Sequence, residues 1–216
     1  MSRIIVARHG ETDWNAAGRI QGASDIDLNE AGRQQADLAA PGLAAYEPDL
    51  IVASPLRRAF DTASPVAELV GISIATDERL REREYGPWEG LTNAEIREKY
   101  PEDAARWRKG QPLQNPQIES WEQLSQRASE AMRDIAEKVQ DGTAIVVCHG
   151  GSARQAVSVM LGWDVAVSGA LGGLDNCHWA ELRQMKSGKW RLFGYNLGPS
   201  APHEIGSSPL ARAQQA

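Results

Sequence analysis

Three short apolar runs each end abruptly on polar, anion-seeking residues, and this pattern constrains the chain more than any other. Ile4-Ile5-Val6-Ala7 runs into Arg8-His9-Gly10, Leu50-Ile51-Val52-Ala53 into Ser54 with Arg57-Arg58 just beyond, and Thr143 to Cys148 into His149-Gly150-Gly151. Short aliphatic runs without polar alternation are strands buried on both faces. Such strands belong to sheets covered by helices, where ligands bind beyond the carboxyl ends of the strands. The fold class expected is α/β: a three-layer α/β/α sandwich with a mostly parallel central sheet, helices on both faces and a small cap insertion.

The intervening segments supply the helices. Asn29 to Tyr46 reads as helical, with Asn29 as N-cap and a break at Pro41-Gly42. Ser54-Pro55 reads as a cap followed by proline in the first turn, and Pro65 is expected to kink or end that helix. A short strand fits Ile72 to Thr76. Gly, Pro and Trp recur over 83–118 and leave room only for short helices such as Asn93 to Tyr100, so this stretch reads as the cap. An amphipathic helix follows from Ser120 to Val139, and another spans Ala153 to Leu161 after the third apolar run. Cys177 to Leu182 and Trp190 to Tyr195 read as an antiparallel pair joined through Lys186 to Lys189. Residues 1–198 form one expected domain, without repeat or linker. The tail 199–216, rich in Ser, Ala, Pro and Gln, is expected to be disordered.

The chemistry sits at the strand ends. A phosphate ester calls for fork-shaped cationic donors, which Arg8 and Arg58 supply, and for a nucleophile, which neutral His9 provides, with His149 at a converging strand end. The same arginines disfavour a further positive charge and so keep His9 neutral. Glu82 and Glu84, in Leu80-Arg81-Glu82-Arg83-Glu84-Tyr85-Gly86, offer a carboxyl that can donate a proton to a leaving alkoxide and then take one from water. Arg57 reads as part of a solvated helix face. Trp88, Trp107 and Trp121 either wall a sugar site or pack the cap onto the sheet. His178 and His203 read as a strand and a tail residue.

Several classes are disfavoured. A net charge of −6 argues against a nucleic-acid or anionic-membrane partner held by bulk charge. No metal site is expected, because Arg8 and Arg58 would repel a cation and no His-Glu-x-x-His spacing occurs; with no Gly-x-x-x-x-Gly-Lys loop either, no cofactor is expected. Two cysteines and no long apolar stretch lead to the expectation of a cytoplasmic protein without signal peptide or transmembrane helix. A homodimer is left open.

These blocks together resemble the histidine phosphatase, or phosphoglycerate mutase-like, superfamily from Ile4 to about Leu197. The similar motifs are Arg8 to Asn15 with Gly18 to Gly22 and Asp27 to Asn29, then Ser54 to Ala59 with Thr62-Ala63. The acid block follows at Leu80 to Glu82 with Gly86 and Trp88 to Gly90, and the last is Val147 to Gly151. The resemblance implies that His9 is the phosphorylated nucleophile, Glu82 the proton donor and acceptor, and Arg8, Arg58 and His149 the holders of the phosphoryl oxygens. It adds Asn15, Gln21, Gly22 and Gly150 as phosphate contacts and Arg83 and Tyr85 as substrate contacts. Leu171 to Trp179 and Gly90 to Ala94 are similar to the glucosyl-3-phosphoglycerate phosphatase branch.

The function implied is hydrolysis of a small phosphorylated metabolite, a sugar phosphate or phosphoglycerate derivative, through a phosphohistidine. Phosphoglycerate mutase activity is the alternative; the stretch between Glu82 and His149 is short for it, and only Arg106 and Arg108 stand near the expected arginine pair. A catalytically silent phospho-ligand binder is the third reading, disfavoured because all five chemical residues are present.

Overall fold

The computed structural model describes residues 1–199. Residues 200–216 lie outside the described part, as do the expectation for the tail and His203. Among the described residues the strands are β1 (Arg3–Arg8), β2 (Leu50–Ala53), β3 (Ile74–Thr76), β4 (Thr143–Cys148), β5 (Trp179–Gln184) and β6 (Trp190–Leu197). They form one sheet in the order β3-β2-β4-β1-β5-β6. The first four in this order are mutually parallel, and β5 and β6 close one edge in antiparallel fashion.

The helices are α1 (Asp13–Ala16), α2 (Glu30–Ala44), α3 (Arg57–Val70), α4 (Asn93–Lys99), α5 (Pro101–Arg108), α6 (Trp121–Lys138), α7 (Gly150–Met160) and α8 (Val165–Ser168). Strand residues alternate between two cores, as the pleat requires. Ile4, Val6, Val52, Ala144, Val146 and Cys148 face α6 and α7. Ile5, Ala7, Ile51, Ala53, Ile145 and Val147 face α2 and α3. Both faces of the central strands are therefore dry, which explains their unbroken apolar runs. A separate small cluster of Trp88, Ile96, Ala104 and Ile118 holds together the segment carrying α4 and α5.

Three local expectations need correction. Neither Pro41 nor Pro65 breaks its helix: α2 continues through Pro41 to Ala44, and α3 runs through Pro65 to Val70. Each proline frees the carbonyl four residues earlier, and these belong to the exposed Asp37 and Asp61, where water can satisfy them. The opposite faces, Ala36, Ala39, Ala40 and Leu43 on α2 with Ala59, Ala63 and Val66 on α3, are packed in the core and hold both helices together past the gap. The third correction concerns Ser54. It does not cap α3, because its hydroxyl is drawn to His149; the N-cap position falls to Leu56, whose side chain bonds nothing there. Instead the carboxylate of Asp25, from a distant loop, accepts the Arg57 amide at 2.8 Å.

Other expectations are met within a few residues. Asn29 caps α2, accepting from the Gly32 amide. The amphipathic helix is α6, capped reciprocally by Ser120 and Gln123. The cap stretch holds short helices as expected, α4 and then α5, which starts on Pro101 directly after it.

Candidate active site

The register of the sheet assembles the site. β1 and β4 end level, Arg8 opposite Cys148, and β2 ends opposite Val147. The ladder continues one step further: the His9 amide donates to Cys148 O at 3.0 Å and the Ser54 amide to Val147 O at 2.9 Å. His9, Ser54 and His149 therefore emerge from three adjacent strands at one edge. The rings of His9 and His149 lie 5.1 Å apart.

His9 is 3% exposed. Its Nδ1 lies 2.6 Å from Gly10 O, and since a carbonyl can only accept, Nδ1 carries the proton and the lone pair resides on Nε2. Burial, then Arg58 and Arg8, hold its pKa well below the ordinary histidine value. The Asn176 amide group bonds the His9 carbonyl, fixing the backbone behind the ring.

Arg58, fully buried, is held at three points: Nε donates to His149 Nδ1 at 3.1 Å, Nη1 to Ser24 O at 2.6 Å and Nη2 to Gly22 O at 2.8 Å. His149 therefore accepts on Nδ1 and donates from Nε2 to Ser54 Oγ at 2.8 Å. Burial first, then Arg58, lowers its pKa well below the usual range. Both its nitrogens are engaged, so His149 acts in this structure as a bracket for Arg58. Arg8 donates from Nη1 to Leu174 O, while its Nε is buried and has no partner.

Glu82 approaches from the other side. Its carboxylate accepts from the Gly151 amide at 2.8 Å, the Ser152 amide at 3.2 Å and the Arg83 amide at 2.8 Å. The first two belong to the start of α7, where free amides and the helix dipole favour an anion. A Cβ on Gly151 would overlap Glu82 Oε1, so only glycine lets the carboxylate come this close. Glu82 and Arg8 flank Gly150.

The expected rim residues divide. Asn15 uses its Oδ1 on the Thr12 amide, closing the cap of α1, which leaves its NH2 for a ligand. Gln21 is buried with Oε1 unpartnered. Gly22 gives its carbonyl to Arg58 Nη2. Arg83 and Tyr85 belong to an aromatic box that follows Glu82, the Arg83 guanidinium lying 4.3 Å from the Trp121 ring centroid, 5.2 Å from Tyr85 and 5.3 Å from Trp107. Trp88 meets Trp107 edge-on, Trp107 lies tilted against Trp121, and Trp121 carries the Arg83 guanidinium, so all three take part in packing the cap.

Four supporting residues escaped the sequence reading. Glu89 gathers the amides of Ala23, Ser24 and Tyr85 and the Ser24 hydroxyl, tying the loop that holds Arg58 to the segment that follows Glu82. Asp25 receives both the amide and the guanidinium of Arg57, so exposed Arg57 pins that same loop. Arg127 donates to the carbonyls of Arg79, Arg81 and Glu82 and pairs with Glu119 at 2.7 Å. Asn176 supports His9. Glu89 and Asn176 lie inside motifs noted in the sequence without a role of their own, and Arg127 falls on the buried stripe of α6, three residues after Leu124 and four before Ala131.

Neutral buried histidines bracketed by arginines, at the carboxyl edge of a parallel sheet, define a class of α/β protein built to grip a phosphate-like anion. Residues 4–198 match the histidine phosphatase superfamily (branch 1), and the chain belongs to that superfamily. It is 34% identical over 218 residues to glucosyl-3-phosphoglycerate phosphatase of Mycobacterium tuberculosis, covering 94% of this chain and 98% of the relative. Phosphoserine phosphatase 1 of Hydrogenobacter thermophilus is 33% identical over 183 residues, with 84% and 86% coverage. A solved mycobacterial glucosyl-3-phosphoglycerate phosphatase in complex with VO3 superposes with a TM-score of 0.84 at 34% identity, covering 91% of this chain and 99% of that one. The protein is a histidine-type phosphatase. Among the described residues no helix is long and apolar enough to cross a membrane.

Proposed function

We propose that this enzyme hydrolyses a small phosphorylated metabolite of the phosphoglycerate or phosphoserine kind by way of a phosphohistidine on His9. The observation that carries the mechanism is the tautomer of His9: with Nδ1–H committed to Gly10 O, the nucleophilic lone pair on Nε2 is kept unprotonated by burial and two arginines. In the first step Nε2 forms a bond to phosphorus as the ester P–O bond breaks, and Glu82 gives a proton to the departing alkoxide. In the second, water attacks phosphorus, its proton passes to Glu82, the N–P bond breaks and inorganic phosphate leaves. Arg58, with His149 behind it, and Arg8, with its unpartnered Nε, stabilise charge on the phosphoryl oxygens in both transition states. Asn15, Gln21 and Gly150 complete the phosphate contacts.

The substrate class is supported by the relatives, named for glucosyl-3-phosphoglycerate and phosphoserine. Isomerisation gains no such support: Arg106 bonds Pro112 O and Arg108 is exposed. A cytoplasmic setting is supported by two buried free thiols, Cys148 and Cys177, each pushed by burial to a pKa of about 12.

His9→Ala should lower hydrolysis of p-nitrophenyl phosphate by about a thousandfold or more while the far-UV spectrum stays native. Wild type briefly mixed with substrate should carry an acid-labile, alkali-stable phosphoryl label that the variant lacks. A variant with full activity removes the mechanism. Glu82→Gln should slow alkyl esters, whose leaving groups need a proton, far more than the nitrophenyl ester; equal losses would remove the proton-transfer role.

A further inference from the structure

One buried hydroxyl joins the loop that carries His9 to the helix that carries Arg58, and no step of the reaction uses it. Thr62 lies on α3 one turn beyond Arg58 and is 2% exposed. Its Oγ1 donates to Arg58 O at 2.7 Å and accepts from the Gly10 amide, distant in sequence, at 2.9 Å. A hydroxyl has one proton to give; the helix carbonyl takes it, and a lone pair is left for Gly10. The peptide unit between His9 and Gly10 is thereby held at both poles. Its carbonyl accepts from the Asn176 side chain at 2.9 Å, and its N–H is committed to Thr62. A planar unit bonded at both poles resists rotation, which fixes ψ of His9 and φ of Gly10. Gly32 closes a further side, since a Cβ on Gly10 would overlap its carbonyl. With Gly10 set in this way, its own carbonyl faces His9 Nδ1 at 2.6 Å.

We infer that Thr62 is a positioning residue that, through Gly10, selects the reactive tautomer of His9. This rests on the reading of His9 as nucleophile and deepens it, by naming what keeps the ring in its reactive form. Without the hydroxyl, the buried Gly10 amide is unpaired and turns toward another acceptor. Gly10 O then swings away from Nδ1, and the ring proton is shared between Nδ1 and Nε2. A ring protonated on Nε2 has no lone pair to offer phosphorus. Arg58 does not follow, because Ser24 O, Gly22 O and His149 hold its guanidinium independently of Thr62. Phosphoryl transfer therefore slows while the grip on phosphate stays.

The test uses Thr62→Val, which keeps the shape and removes the hydroxyl, and Thr62→Ser, which keeps the hydroxyl. On p-nitrophenyl phosphate the valine variant should lose roughly ten- to thirtyfold in kcat. Its inhibition by inorganic phosphate should stay within about threefold of wild type, and the serine variant should recover kcat to a similar margin. Ring-nitrogen NMR at about pH 7.5, where His9 is neutral, supplies the signature of the tautomer; the His9 signals are those missing from His9→Ala. Wild type should show Nδ1 protonated and Nε2 bare, and in the valine variant the two signals should draw together. Thr62→Ala takes the place of the valine variant if that one does not fold. A wild-type kcat without the hydroxyl, an equal loss with serine, or a loss of kcat with the His9 signals unmoved would each overturn the assignment. Full activity in His9→Ala would instead overturn the phosphohistidine reading itself.

Discussion

At the scale of single residues, the site depends on side chains that never meet the phosphate. Arg58 is aimed by two backbone carbonyls, and the loop carrying them is gathered by one carboxylate, Glu89, that accepts from four donors. A carboxylate can do this because both oxygens only accept; an amide of the same shape must turn a donor toward donors. Glu89→Gln should therefore loosen residues 22–24 and let Arg58 drift. The expected outcome is a fall of about tenfold in kcat/KM for p-nitrophenyl phosphate, the size of one or two charge-assisted hydrogen bonds, with a native spectrum. Unchanged kinetics would show that the loop does not set the arginine.

At the scale of elements, the strands and their ends were legible because burial on two faces leaves an unbroken apolar run, and a run that stops on Arg8-His9 or His149 advertises its own carboxyl end. What the sequence could not reveal was side-chain traffic between distant segments. Asp25 caps α3 from a loop far back in the chain, and Ser54 leaves its expected cap position for His149. Neither contact has a local period or spacing. The prolines misled for a related reason: propensity argues for a break, but the alanine-rich interface of α2 and α3 lies on the opposite face, and the Ser64 hydroxyl bonds Phe60 O beside Pro65. Pro65→Ala should restore the missing ladder bond to Asp61 O. A gain of about 1–2 kcal/mol in urea unfolding is expected, the helix-interior penalty less the lost rigidity of the unfolded chain. Activity should not change, since Arg58 lies two turns away. By contrast Gly151→Ala, a favourable change by helix propensity, should leave stability nearly unaltered and cripple hydrolysis of alkyl esters, because its methyl group displaces Glu82.

At the scale of the whole molecule, two neutral histidines at the centre of the fold make its stability depend on pH. His9 and His149 face Arg8, Arg58 and each other, with Glu82 across the site and Arg127 beyond it, and burial with those arginines keeps both pKa values well below the ordinary histidine value. At pH 7.5 both are unprotonated in the folded and the unfolded chain, so neither contributes a slope. Below about 6.5 the unfolded chain takes up protons on these residues that the folded chain refuses. Unfolding is then accompanied by proton uptake, and stability is lost as pH falls from about 6.5 toward 4.5, before the carboxylates near 4 begin to titrate. The slope approaches about 1.4 kcal/mol per pH unit for each histidine. Urea unfolding at closely spaced pH values should show this decline, and His9→Asn should remove close to half of it. A flat profile through that window would mean that both histidines carry their protons in the folded enzyme as they do in the unfolded chain. His9 would then be no nucleophile at rest, and substrate binding itself would have to deprotonate it.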